Sequence, residues 1–179
     1  EAVERFLAAL QVNPNHPEVL SNLGNAYSQQ GLYEQSVDCY QKALQLQTQR
    51  PETIYNMGCA YRKLGDNEKA IDSFQKAVDL GFKNSKLYSS MGDIFAETKT
   101  YSKAVSSYRA AIALDPGNAV YHNNLGATFH DSGDNDEAMR CYQKAYAIDP
   151  ANYSVIKNLS KAYRNKADKE KSLEIVLKG

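Results

Sequence analysis

Three histidines and three cysteines are the side chains of this 179-residue chain best suited to binding a metal or attacking a substrate. Metal ligation needs several such donors converging on one point, and a nucleophilic thiol needs a base within hydrogen-bond reach. His122 and His130 stand eight residues apart. That is about 12 Å along a helix at its 1.5 Å rise, too far to share an ion without a bridging ligand. Cys59 has no His or Asp at a recognisable spacing, so a nucleophilic role lacks its base. No phosphate-cradling glycine loop, paired-cysteine metal motif or zinc-protease helix occurs. Asn152-Tyr-Ser and Asn158-Leu-Ser match the glycosylation acceptor by spacing alone. The chain therefore reads as non-catalytic, with no metal and no cofactor.

Charge excludes further classes. Basic and acidic residues number 21 each, so no global field draws in nucleic acid or an anionic membrane. No apolar run approaches the roughly 18 residues of a membrane span. Cys39 and Cys141, both in the string Cys-Tyr-Gln-Lys-Ala, lie too far apart along a stack of helices to be bridged. Free thiols point to the cytoplasm or another reducing compartment. The opening Glu1-Ala2-Val3 starts inside a helical pattern, as a fragment of a longer chain would.

What positions these side chains is a repeat. Asn-Leu-Gly at 22–24, Asn-Met-Gly at 56–58, Ser-Met-Gly at 90–92, Asn-Leu-Gly at 124–126 and Asn-Leu-Ser at 158–160 recur at a step of 34 residues. A period of this length marks one supersecondary module whose apolar face is covered by its neighbour. With Pro17, Pro51, Ser85, Ala119 and Tyr153 as first positions, the repeats are 17–50, 51–84, 85–118, 119–152 and an incomplete 153–179, preceded by a lone second helix over 1–16.

Within each repeat, position 8 is Gly24, Gly58, Gly92, Gly126 or Ser160, and position 11 is Tyr27, Tyr61, Phe95, Phe129 or Tyr163. A small and an aromatic residue three apart share a helix face, the small one admitting a neighbouring helix and the ring filling the space beside it. A second stripe at positions 20, 24 and 27 includes Ala70, Phe74 and Ala77 or Ala104, Tyr108 and Ala111. Spacings of four and three put these on one face, so each repeat reads as two antiparallel amphipathic helices. Gly31, Gly65 and Gly133 at position 15 end the first helix, and Lys99 and Ala167 depart from that rule. Pro14, Pro116 and Pro150 at position 32 end the second, with Thr48 and Phe82 as exceptions.

These positions resemble the tetratricopeptide repeat family, whose Leu-Gly, Tyr, Ala, Phe, Ala and Pro pattern they match along the whole chain. The resemblance implies an all-α fold, a right-handed α-solenoid of helix pairs in a single array over 1–179. It further implies that the first helices line a concave groove that binds an extended peptide or partner segment, making the chain a protein-protein interaction scaffold. Groove candidates are Asn22, Asn56, Asn124 and Asn158 at position 6, Asn25 at position 9 and Asn123 at position 5. An Asn amide offers donor and acceptor to a peptide backbone, and equally satisfies local groups of its own protein. On the groove reading, exchange of Asn56 and Asn124 for Ala weakens binding at unchanged melting temperature.

The family's carboxylate clamp for chaperone tails is matched only by Asn25, Asn56 and Lys86, because Ser21 and Ser90 stand where cations are needed. Tyr55 and Arg62 are further candidates, the ring for stacking on a ligand side chain. Residues 119–152 carry net charge −3 and 153–179 net +4. Lys157, Lys161 and Arg164 in that last repeat offer a site for an acidic stretch of a partner, or form a solvated face. An alternative is the substrate-selecting region of a larger enzyme, such as a protein O-linked N-acetylglucosamine transferase, whose groove asparagines resemble these. The unpaired helix at 1–16 and the apolar last helix, with Leu173, Val176 and Leu177, also suggest self-association.

Overall fold

A computed structural model describes residues 1–47, 49–165, 171, 172, 175 and 177. Thr48, Ala167, Leu173 and Val176 therefore lie outside the described residues. The protein is all-α, and among the described residues ten helices appear: α1 (Ala2–Val12), α2 (Pro17–Gln29), α3 (Tyr33–Leu46), α4 (Pro51–Lys63), α5 (Asn67–Asp79), α6 (Ser85–Glu97), α7 (Tyr101–Leu114), α8 (Ala119–Asp131), α9 (Asn135–Ile148) and α10 (Tyr153–Asn165). They divide into two compact units, residues 1–83 with α1 to α5 and residues 84–179 with α6 to α10.

Most of the helix ends have a local reason. Pro17 and Pro51 sit in the first turns of α2 and α4, where the missing N–H would have been unpaired anyway. The side chains of Asp66, Asn84, Asn118 and Asp134 accept hydrogen bonds from backbone N–H groups of the first turns that follow, the usual remedy for orphaned donors. Gly31, Gly65 and Gly133 take φ of +77°, +79° and +92° at the ends of the first helices. Lys99 adopts the same left-handed turn at φ +57°, so the fold imposes the conformation even where the side chain resists it. The residues before Pro14, Pro116 and Pro150 have ψ of 93°, 79° and 88°, moved out of the helical region by the ring that follows. Phe82 is reached differently, through Leu80 at ψ 8° and Gly81 at φ +85°.

Helix pairing rests on a contact between positions 8 and 24. A Cβ added to Gly24 would lie 2.6 Å from Tyr40 Cε1, and one on Gly58, Gly92 or Gly126 would lie 2.7 Å from Phe74, Tyr108 or Tyr142. The ring that needs the glycine is thus the one on the second helix of the same repeat, rather than the position-11 ring three residues along. Ser36 Oγ adds a 2.8 Å bond to the Gly24 carbonyl across this interface. In the fifth repeat, where position 8 is a serine, Ser160 and Ser172 hydroxyls meet at 2.8 Å.

Position 11 serves the joint between successive repeats. Gln41 donates to the Tyr61 hydroxyl at 3.0 Å and Gln143 to the Tyr163 hydroxyl at 2.8 Å. Phe129 has no hydroxyl, and there Arg109 takes the glutamine's place with its guanidinium 5.9 Å from the ring centre. In α1 no residue is buried, although Ala2, Phe6 and Ala9 hold the positions that are fully covered in every complete repeat.

Candidate functional site

In the unit 1–83, the groove residues of α2 and α4 form a polar cluster centred on Asn25. Its carbonyl oxygen accepts the Tyr40 hydroxyl at 2.6 Å and the Asn56 amide at 3.0 Å. The three side chains line a cleft of about 250 Å³ together with Ser28, Gln29 and Cys59. Asn22 is exposed one turn earlier on α2.

The unit 84–179 repeats the device with a carboxylate. Asp93 Oδ1 accepts the Tyr108 hydroxyl at 2.6 Å and the Asn124 amide at 3.2 Å. In the next repeat position 9 is Ala127, and Asn158 bonds instead to Asn123 Oδ1 at position 5, at 3.0 Å. Asn56, Asn124 and Asn158 are therefore hydrogen-bonded to side chains of the preceding repeat. Each commits one amide hydrogen there and keeps its second hydrogen and its carbonyl oxygen. All three remain half-buried, whereas Asn123 is buried.

Tyr55 is not a free stacking ring. It is half-buried, with its centre 5.9 Å from Phe74 and 5.2 Å from Phe82. Phe82 stands at the position that holds Pro14, Pro116 and Pro150 in other repeats, and here it supplies a ring that packs on Tyr55. Arg62 beside it is half-buried, and Lys86 on α6 is exposed. Lys157, Lys161 and Arg164 are all exposed along α10, separated by four and three residues and hence on one side of the helix.

The other reactive side chains have structural surroundings. His122 is buried, with Nε2 3.1 Å from the Pro116 carbonyl. His130 Nδ1 lies 2.9 Å from Asn135 Oδ1. Cys39, Cys59 and Cys141 are free cysteines, and burial pushes all three thiols up from their ordinary range. At Cys59 a hydrogen bond with Tyr55 and the charges of Arg62 and Lys63 oppose that rise without cancelling it. Such thiols are poor nucleophiles at neutral pH. Among the described residues no group of three His, Cys, Asp or Glu side chains is placed to hold a metal, and no helix is long and apolar enough to cross a membrane.

Sequence reasoning missed Tyr40, Asp93 and Tyr108 as hydrogen-bond partners within the candidate site. The signal was present: Tyr at position 24 accompanies Asn or Asp at position 9 in the first and third repeats, and Phe74 accompanies Cys59 in the second.

Models of the tetratricopeptide repeat match residues 15–81 and 119–152, and a TPR repeat model matches 92–133. MamA 41-end from Desulfovibrio magneticus RS-1 superposes with a TM-score of 0.83 at 22% identity, covering 90% of this chain and 92% of that one. That likeness shows the fold. A second structure, described as "Crystal structure of YrrB: a TPR protein with an unusual peptide-binding site", has a TM-score of 0.83 at 25% identity, covering 99% of this chain and 91% of that one. No curated protein matches the chain.

Proposed function

We propose that this chain, which belongs to the tetratricopeptide repeat family, is a non-catalytic scaffold that holds an extended segment of a partner protein against its first helices. The observation that carries this reading is the half-satisfied state of Asn56, Asn124 and Asn158. One amide hydrogen fixes each side chain to the repeat before it, and the remaining carbonyl and N–H point to a ligand with alternating donors and acceptors, as a peptide backbone has. Holding the side chain in place beforehand lowers the entropy cost of binding. The exposed cations of α10 favour an acidic stretch at that end of the segment. YrrB, described as having an unusual peptide-binding site, supports the same class of ligand. Three free cysteines support a reducing compartment.

Panning a displayed peptide library against the immobilised chain, then photo-crosslinking the selected peptides, tests this directly. Crosslinks on α2, α4, α6, α8 and α10 are expected, concentrated at Asn22, Asn56, Asn124, Asn158 and Lys161. Crosslinks confined to α3, α5, α7 and α9 would overturn the reading.

A further inference from the structure

A cleft of about 190 Å³ opens in the unit 84–179 between α8, α9 and α10. Its inner wall is Ala138, Met139, Tyr142 and Ala162, of which Ala138 and Tyr142 are 2% and 3% exposed. Its rim carries Asn158 and Lys161. An apolar cavity of about 150 Å³ takes up a benzene ring, so this space suits one aromatic side chain.

The chain itself indicates why the space is there. Asn135 opens α9 at the repeat position where Tyr33 opens α3 and Tyr101 opens α7, and both tyrosines are half-buried. In the fourth repeat, as with Asn67 in the second, the large side chain is replaced by a short one, and the Asn135 carbonyl oxygen lies 2.9 Å from His130 Nδ1. Met139 lies in the wall, and its thioether makes favourable contacts with aromatic rings. Lys161 on the rim is exposed, with Lys157 and Arg164 one turn to either side, and Asp136 is the single acid among the lining residues. The local charge thus complements an acidic neighbour of the bound ring.

We infer that this cleft receives a tyrosine or phenylalanine of the partner segment, flanked by an acidic residue that meets Lys161. The inference rests on the scaffold reading and names the side chain that reading leaves open. The ring takes the place that Asn135 leaves unfilled, and the cations of α10 hold the flanking carboxylate.

The test uses p-cresol and two dipeptides, N-acetyl-Glu-Tyr-amide and N-acetyl-Lys-Tyr-amide, titrated into the whole chain labelled at its methionine methyls. The Met139 methyl is expected to shift with all three probes while Met57 and Met91 stay still. The Glu-Tyr probe should bind more tightly than the Lys-Tyr probe. Asn135→Tyr, a residue this fold already accepts at positions 33 and 101, should weaken p-cresol binding at least about tenfold without lowering the melting temperature. Lys161→Glu should keep p-cresol binding and reverse the preference between the dipeptides. A still Met139 methyl, or an equal shift in Asn135→Tyr, overturns the inference. Either result leaves the crosslinking test of the scaffold reading untouched, since that test does not depend on the cleft.

Discussion

Replacing Asn25 by alanine isolates the polar cluster that links α2 to α3 and α4. The substitution removes the acceptor of two hydrogen bonds, from Tyr40 at 2.6 Å and from Asn56 at 3.0 Å. Each is worth about 0.5–1.5 kcal/mol net, so the loss is about 1–3 kcal/mol. Alanine recovers about 0.6 kcal/mol of helix propensity in the interior of α2, which leaves a net cost of about 1.5 kcal/mol. For a chain of this size that lowers Tm by about 3–6 °C. Tyr40 drives the cost, because it is only 1% exposed and its hydroxyl exchanges a fixed acceptor for limited access to water.

Two further variants separate hydrogen bonding from packing. Asn25→Asp keeps both acceptor bonds, as Asp93 does in the third repeat, and should stay within about 0.5 kcal/mol of the parent. Tyr40→Phe keeps the ring that Gly24 accommodates, as Phe74 does against Gly58, and should cost about 1 kcal/mol. Thermal and urea unfolding followed by circular dichroism measure all of these, and the Asn25→Ala, Tyr40→Phe pair closes a double-mutant cycle with a coupling of about 1 kcal/mol. An Asn25→Ala variant as stable as the parent would refute the reasoning. So would an Asn25→Asp variant that falls as far as the alanine.

The same structure makes three other predictions. Gly58→Ala places a methyl 2.7 Å from Phe74 Cε1, and overpacking of about 1–3 kcal/mol should exceed the roughly 1 kcal/mol of propensity gained, so calorimetry should show a lower Tm. Lys99→Gly relieves a left-handed residue at φ +57° and should raise Tm by about 2–4 °C, for about 1 kcal/mol. Burial pushes the Tyr142 hydroxyl up to about 12 from 10.0. Its folded pKa lies above its unfolded one, so the stability it contributes is complete below pH 10.0 and lost as pH rises toward about 12. Tyr142→Phe should therefore flatten the alkaline fall in urea midpoint over that window.

The helix pairs were legible because every packing position recurs in phase, and a face that must be buried in each repeat leaves the same mark each time. The expected fate of the groove asparagines was less legible. Which partner a position-6 asparagine finds depends on position 9 one repeat earlier: Asn25 and Asp93 accept from Asn56 and Asn124, whereas Ala127 leaves Asn158 to bond Asn123. The expectation that Asn56→Ala with Asn124→Ala would spare the melting temperature now meets an opposing term, since each substitution removes one bond between repeats while regaining helix propensity. The ring contacts of Tyr55 were not legible because its partner Phe82 lies 27 residues on, at a position whose usual proline gives no hint of a ring. Lys99 shows the converse, a turn kept by the fold after its glycine has gone.

In a repeat chain, packing and recognition are thus written at different kinds of position. Positions 8, 20, 24 and 27 hold small or aromatic residues in each full repeat, because a Cβ at Gly24, Gly58, Gly92 or Gly126 would meet a ring at under 3 Å. Information about a ligand has to sit where the repeats disagree. Position 9 runs Asn25, Cys59, Asp93, Ala127 and Lys161, and position 17 runs Tyr33, Asn67, Tyr101 and Asn135. The first series changes character at every step, from amide through thiol, carboxylate and methyl to cation. The second leaves a short side chain on the wall beside α10, so the departures at Asn135 and Lys161 meet in one cleft. On the proposed scaffold reading, the side chains of a bound segment are read in that cleft, within the unit 84–179.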